Sequence, residues 1–508
     1  MKRLPFAIPR QHLFFTLIVV LLTMLGAVTA PSHADEGLQP AATRVLLSTP
    51  QPLAGFRGKG DQRDADLYPA LAFDATNQRY LAVWQSVYNA GSRNDGFDIY
   101  GIFLDASGKA SGAPFRISDR NSAARSSRPV VVAGENEFVV AWTVRGSPCR
   151  LAVQRVRDAT TVVDQLLLPG ETSHQHSPTL VYHAQRQRFV LAYVAGDDYL
   201  PAKLFGTISA DCGDSATSAS QIKMAEFHFN NGQATVDVQL VTSEARGGAF
   251  RPSLDYSSAL NQYLVAWEDR RAAAGNLHLF DIYGQRIDTD LTAAGNNFVL
   301  GLGGNYMNSD DSATWTPRPV VVAGQANFLA AWYKPEFSND DAFWTLQGAL
   351  VPTTGLTLTT FTIAQISFAQ PPQGNAPTGF LTGLYNLTDQ EFLLVLSSHT
   401  ESLWGYFSTV RVQRIDRNGQ LLKLDGALQP APGVGAIIDS AIDDQISVAG
   451  AANAIVGANT GYLIAYGRHA PNQHAQDFDL WSTQLLQNHL TPTPVPKLYL
   501  PVVAKPRR

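Results

Sequence analysis

The stretch YPALAFDATNQRYLAVWQSVYNAGSRNDGFDIYGIFLDASG, residues 68–108, decides the fold. It opens on a proline and an apolar run, crosses a polar turn, and continues as an alternating strand that ends at Trp84. A polar loop follows, then Asp-Ile-Tyr-Gly (98–101), a glycine turn and a short last strand. The same grammar recurs down to about residue 487. Its opening prolines are Pro69, Pro129, Pro178, Pro252, Pro319 and Pro377, and a degenerate last copy opens near Ile446. Second strands read RYLAVW (79–84), EFVVAW (137–142), RFVLAY (188–193), QYLVAW (262–267), NFLAAW (327–332), EFLLVL (391–396) and GYLIAY (461–466). Third strands include DIYGIFLD (98–105), DIYGQRID (281–288) and DLWSTQLL (479–486).

Four strand-like runs per period of about 60 residues imply an all-β propeller, most simply of seven four-stranded blades. The second strand supports this. In residues 80–84, Tyr, Ala and Trp share one face and Leu and Val the other, so both faces are apolar. A sheet with one wet face would alternate apolar with polar, whereas a sheet stacked between neighbouring sheets must bury both. The last copy lacks a fourth strand after Leu486, and an orphan strand, ATRVLLST (42–49), precedes the first copy. Residues 43–49 are therefore expected to complete the last blade and leave no open edge there. The spelling loosens in copies three, six and seven. An insertion at about 210–233 is expected in copy three, which carries KLFGTI (203–208) where its third strand should stand.

The two ends read differently. Lys2, Arg3 and Arg10 flank an apolar run over 13–28, and Ser32 and Ala34 precede Asp35, which is the pattern of a signal peptide over 1–34. The expected propeller occupies 35–490. Residues 491–508 form a Thr/Pro linker and a short apolar, then basic, tail, too short in its apolar part to cross a bilayer. The reading is a secreted or cell-surface protein without a membrane span in its mature chain. Losing the three signal cations takes the net charge from −5 to about −8, which argues against nucleic acid as a partner. Cys149 and Cys212 are the only cysteines, and export permits them to form a disulfide.

The YLVAWED…DIYGQRID spelling (263–269, 281–288) resembles a repeat of largely uncharacterised exported bacterial β-propeller proteins. The resemblance spans about residues 40–487 and implies a fold and a compartment only. Copies two, three and six depart from it at the third strand, with LAVQRV (151–156), KLFGTI and YFSTVRV (406–412).

Chemistry is expected on the rim where the loops before first strands and after second strands meet. Asp61, Asp64, Asp66, Asp95, Asp98, Glu268 and Asp269 gather there, and carboxylates in such loops can hold Ca²⁺, although no complete calcium loop is spelled. An arginine recurs directly before the opening proline, as Arg128, Arg251 and Arg318. Three guanidinium groups converging on the axial channel would take a carboxylate or sulfate through paired hydrogen bonds. The competing expectation is that each pairs with an acid of its own or the next blade. The second-strand aromatics read as packing between blades, and His174, His176 and His183 as a weak metal signal. No nucleophile elbow, zinc-protease motif or phosphate loop appears. The first functional reading is thus a non-enzymatic binding or adhesion module for a glycan, a protein or the cell envelope. Its alternative is a glycan-processing hydrolase or lyase with a carboxylate pair on the rim.

Overall fold

The computed structural model describes residues 44–47, 51–54, 65–88, 96–118, 125–159, 162–168, 173–196, 212, 220–230, 233–241, 248–271, 279–305, 319–338, 341–355, 357–368, 381–402, 405–433, 435–441, 448–452, 461–469 and 478–488. The chain divides into two compact units, Met1–Ala41 and Ala42–Arg508. The expected signal peptide and the tail after residue 490 lie outside the described residues. Within the second unit the fold is a seven-bladed β-propeller. Apart from one 3₁₀ turn, Ala184–Arg186, the described elements are strands, as a chain rich in β-branched and aromatic runs punctuated by turn residues should give.

Blade 4 is the type. Its strands, Ala249–Ser257, Gln262–Asp269, Leu279–Asp288 and Phe298–Asn305, pair antiparallel in chain order. Blades 2, 3 and 5 repeat that order, and blade 6 adds a fifth strand, Ala436–Ala441. Blades 1 and 7 are joined into one sheet through a single parallel bridge, Ala65 to Phe478. The third strand of blade 7, Phe478–Asn488, pairs antiparallel with Arg44–Leu47 and then with Gln51–Ala54. Chain from before blade 1 thus supplies the outer strand of blade 7, as the orphan strand predicts.

The two apolar faces of the second strand are both used. In blade 4, Tyr263, Val265 and Trp267 pack with Val190, Ala192 and Val194 of blade 3. Leu264 and Ala266 pack instead in the cluster built on Leu329 and Ala331 of blade 5. Trp84, Trp142, Tyr193, Trp267, Trp332 and Tyr466 are all buried, so the second-strand aromatics are core. Removing one such ring would cost about 3–5 kcal/mol.

The third-strand motif has a local cause. Trp84 lies opposite Tyr100 and Trp267 opposite Tyr283, and each pair stacks with ring centroids 6.3 Å apart. The glycine after each tyrosine leaves room for the fourth strand, since a Cβ at Gly101 would meet Ile117 Cδ1 at 2.8 Å.

Blade 3 corrects one expectation. Its third strand is Gln221–Asn230, so EFHF is strand and not insertion. KLFGTI lies outside the described residues, upstream of that strand. The third strand of blade 3 therefore begins later in the sequence than the repeat spacing places it.

Candidate functional site

The first strands line an axial cavity of about 570 Å³, to which blades 1 to 6 contribute. At its edge a backbone device repeats. Tyr68, Arg128, Ser177 and Arg251 each stand directly before an opening proline, with φ of 52°, 54°, 54° and 51°. Each sits in a β-bulge, where the register slips between Leu67 and Ala70, Ser127 and Val130, His176 and Thr179, and Phe250 and Ser253. Left-handed backbone at a residue with a Cβ costs of order 1–3 kcal/mol and persists only where its surroundings hold it. A bulge also re-aims a side chain. All four of these residues line the cavity.

The amide that leaves the ladder at the bulge is taken up by the preceding blade. Arg128 N–H donates to Gln85 Oε1 at 3.2 Å, and Ser177 N–H donates to Thr143 Oγ1 at 3.3 Å. Gln85 and Thr143 both follow the second-strand tryptophan, so one repeat position fastens blade to blade. Farther along the cavity wall, Ser253 Oγ and Asp255 Oδ2 accept from Val321 N–H and Ala323 N–H of blade 5, at 2.9 and 2.8 Å.

In blade 4 the residue after the tryptophan is Glu268, and the outcome changes. Arg251 donates to Glu268 Oε2, and Arg270 donates to Glu268 Oε1 at 2.9 Å. Arg251, Glu268 and Arg270 are 3%, 0% and 2% exposed, which makes them a buried triad. Asp269, also fully buried, accepts from Trp267 Nε1 at 2.7 Å and from Arg271 Nη2 at 2.7 Å. A buried ion pair is weak evidence for net stabilisation, but taking away one partner is strongly destabilising.

Arg128 is placed otherwise. Its guanidinium is half-buried, lies 5.9 Å from the centre of the Tyr68 ring and donates to Ser177 Oγ at 3.4 Å. Three blades therefore meet at this one side chain. Arg318, Asp61 and Asp64 lie outside the described residues. Asp66 is buried and accepts from Trp84 Nε1 at 2.8 Å, and Asp98 pairs with Arg116 and accepts from Ser118 Oγ at 2.9 Å.

Asp255 is the one carboxylate among the described cavity-lining residues. Burial pushes its carboxyl up to about 6, against the opposing pull of the Ala323 and Tyr256 amides. It stands four residues beyond Arg251, about 13 Å along the strand. Sequence reasoning passed over it because it falls in the interior of a strand.

The histidines do not converge. His174 Nδ1 accepts from Cys149 N–H, His176 Nδ1 faces Ser177 Oγ at 3.1 Å, and His183 caps the 3₁₀ turn and stacks on Tyr256 at 4.1 Å. Cys149 and Cys212 are joined in a disulfide, with Cα atoms 5.7 Å apart. His174 lies beside both sulfurs, which are spent in that bond.

No protein-family model matches the chain, and no curated protein matches it. Solved structures do. The chain is similar to a Penicillium chrysogenum alpha-L-arabinanase complexed with arabinobiose, at 11% identity and TM-score 0.40, covering 71% of this chain and 92% of that one. It is similar to a subtype N11 neuraminidase-like protein from a flat-faced bat influenza A virus, at 10% identity and TM-score 0.41, covering 78% and 100%. A B. megaterium levansucrase mutant gives 12% identity and TM-score 0.37, covering 66% and 94%. Likenesses at this level carry no argument about chemistry, and the blade assignment rests on the strand pairing.

Proposed function

We propose that this protein is an exported, non-catalytic propeller of the repeat type its spelling resembles, and that it binds a glycan, protein or cell-envelope ligand at the channel mouth. One observation carries the reading. The described rim acids Asp98, Glu268 and Asp269 are buried and matched by arginines, while Tyr68, Arg128 and Ser177 from three blades border one cavity. Such acids hold blades in place, and a guanidinium beside a hydroxyl and an aromatic face suits a polar, sugar-like or anionic ligand.

The alternative, a glycan-processing hydrolase or lyase, would draw on Asp255. Its raised carboxyl has the character of a general acid, and it lines the same cavity. Incubating the full chain with acidic and neutral polysaccharides, scoring retention and chain length together, separates the two. Retention with the polymer intact, lost in Arg128→Ala, supports the binder. Shortened polymer, with shortening abolished in Asp255→Asn, overturns it in favour of the enzyme. A Ca²⁺ arm belongs in the assay, because retention that needs the ion would support a cation in the complex.

A further inference from the structure

A second concavity lies between blades 2 and 3, at the opposite ends of their strands from the channel-mouth bulges. Its floor is made by the turn after the first strand of blade 2 (Glu135, Asn136, Glu137) and the matching turn of blade 3 (Arg186, Gln187). The ends of the third strands supply Arg155, Arg157 and Phe229. The cavity measures about 420 Å³, inside the roughly 300–1,000 Å³ range of ligand pockets.

Its charge runs against that of the chain. Arg155, Arg157, Arg186 and Arg188 line it, against Glu135 and Glu137, in a protein of formal net charge −5. The acids present are already committed. Glu137 takes Arg155 through both oxygens at 2.8 Å and also Arg157 at 3.1 Å. Glu226, just outside, takes Arg186, and Glu135 accepts from Gln187 Nε2 at 2.7 Å. One carboxylate thus serves two arginines, and the half-buried Arg188 side chain has no acidic or hydrogen-bonding partner among the described residues. A cleft with an excess of one sign and low-dielectric walls focuses its field on a counter-ion. The walls here are aromatic: Tyr182, Phe189 and Phe229 line the cleft, with Arg155 lying 4.9 Å over the Phe229 ring.

We infer that this groove is a binding site for the oxyanion of an acidic polysaccharide, a uronate carboxylate or a sulfate ester. Arg188 and Arg157 would grip the anion, and the Tyr182–Phe229 wall would lie along the sugar ring. A guanidinium fork matches both oxyanions bidentately, and an aromatic face suits the apolar face of a pyranose. The site is independent of the channel mouth, and its test keeps the two apart.

The probes are polygalacturonate for the carboxylate, dextran sulfate for the sulfate ester and dextran as the neutral control, all with the full chain. The inference expects retention by one or both acidic polymers and not by dextran, weakening as salt rises. Retention of only one acidic polymer names the anion. Arg157→Ala/Arg188→Ala should weaken binding about tenfold or more. Arg188→Lys should restore part of it, and Lys109→Ala, which removes an exposed cation outside both cavities, should leave it unchanged. Arg188→Gln, at a side chain that holds nothing together, gives the same reading if the double variant fails to fold. Equal retention of dextran, no retention of either acidic polymer, or undiminished binding by the Arg157/Arg188 variants would overturn the inference. Loss in Arg128→Ala alone would assign the binding to the channel mouth.

Discussion

Arg128 and Arg251 occupy the same place in two blades, one residue before the opening proline, with φ of 54° and 51° and the same bulge. Their side chains nevertheless have different fates. Arg251 is buried in a triad with Glu268 and Arg270, whereas Arg128 is half-buried and reaches Tyr68 and Ser177 of the flanking blades. The residue after the second-strand tryptophan decides it. That residue is Thr143 in blade 2, whose hydroxyl takes the Ser177 amide of the next blade, and Glu268 in blade 4, whose carboxylate takes its own blade's arginine. Repeat equivalence fixes the backbone and leaves the partner to a single side chain.

The harshest way to break the comparison is to open the ring that holds both bulges. Deleting residues 44–54 removes the outer strand paired to Phe478–Asn488 and should lower Tm by roughly 10 °C. An unchanged thermal melt would contradict the closure. Next comes Glu268→Gln, which leaves Arg251 and Arg270 buried beside a neutral side chain and should cost about 3–5 kcal/mol by urea denaturation. Thr143→Glu sharpens the comparison by giving Arg128 the acid that Arg251 has. Because Thr143 is buried and its hydroxyl holds the Ser177 amide, the change should cost about 1–3 kcal/mol while reducing ligand retention at the channel mouth, where the guanidinium is then engaged. Arg128→Ala should cost under about 1 kcal/mol, as suits a half-exposed side chain, so that its effect on retention reads as function.

The smallest effect is a slope with pH. In the folded protein the Asp255 carboxyl is pushed up to about 6, so the protonated form is favoured there. The stability this group contributes is complete below its ordinary value of 3.8 and is lost as pH rises through about 6. Denaturation at pH 5 and pH 7 should show that loss, and Asp255→Asn should flatten it.

Much of this was legible in the sequence because strands write a period of two and the repeat writes its own copy number. The burial of the second-strand aromatics and the closure of the last blade by the orphan strand follow from spelling alone, since each depends on local pattern. What stayed hidden depends on contact between distant residues. Proline marks the opening of six of the seven blades, but the left-handed residue before it shows only when the preceding blade's Gln85 or Thr143 is seen to hold its amide. Glu268 and Asp269 read as a rim pair available for ligand, and the structure puts both inside ion pairs. The groove of Arg157 and Arg188 lies between turns that recur in every blade but carry different side chains, so the repeat itself does not mark it.

The most direct test of the account is to convert the whole triad, as Arg251→Met/Glu268→Leu/Arg270→Met, and measure urea stability and polysaccharide retention together. If these residues serve the fold, the apolar triple variant should recover to within about 1 kcal/mol of the native protein, where Glu268→Gln alone falls by about 3–5, and retention should be unchanged. A triple variant that folds as well as the native protein but no longer retains the polymer would show that Glu268 and its arginines are the ligand site, and would contradict the account.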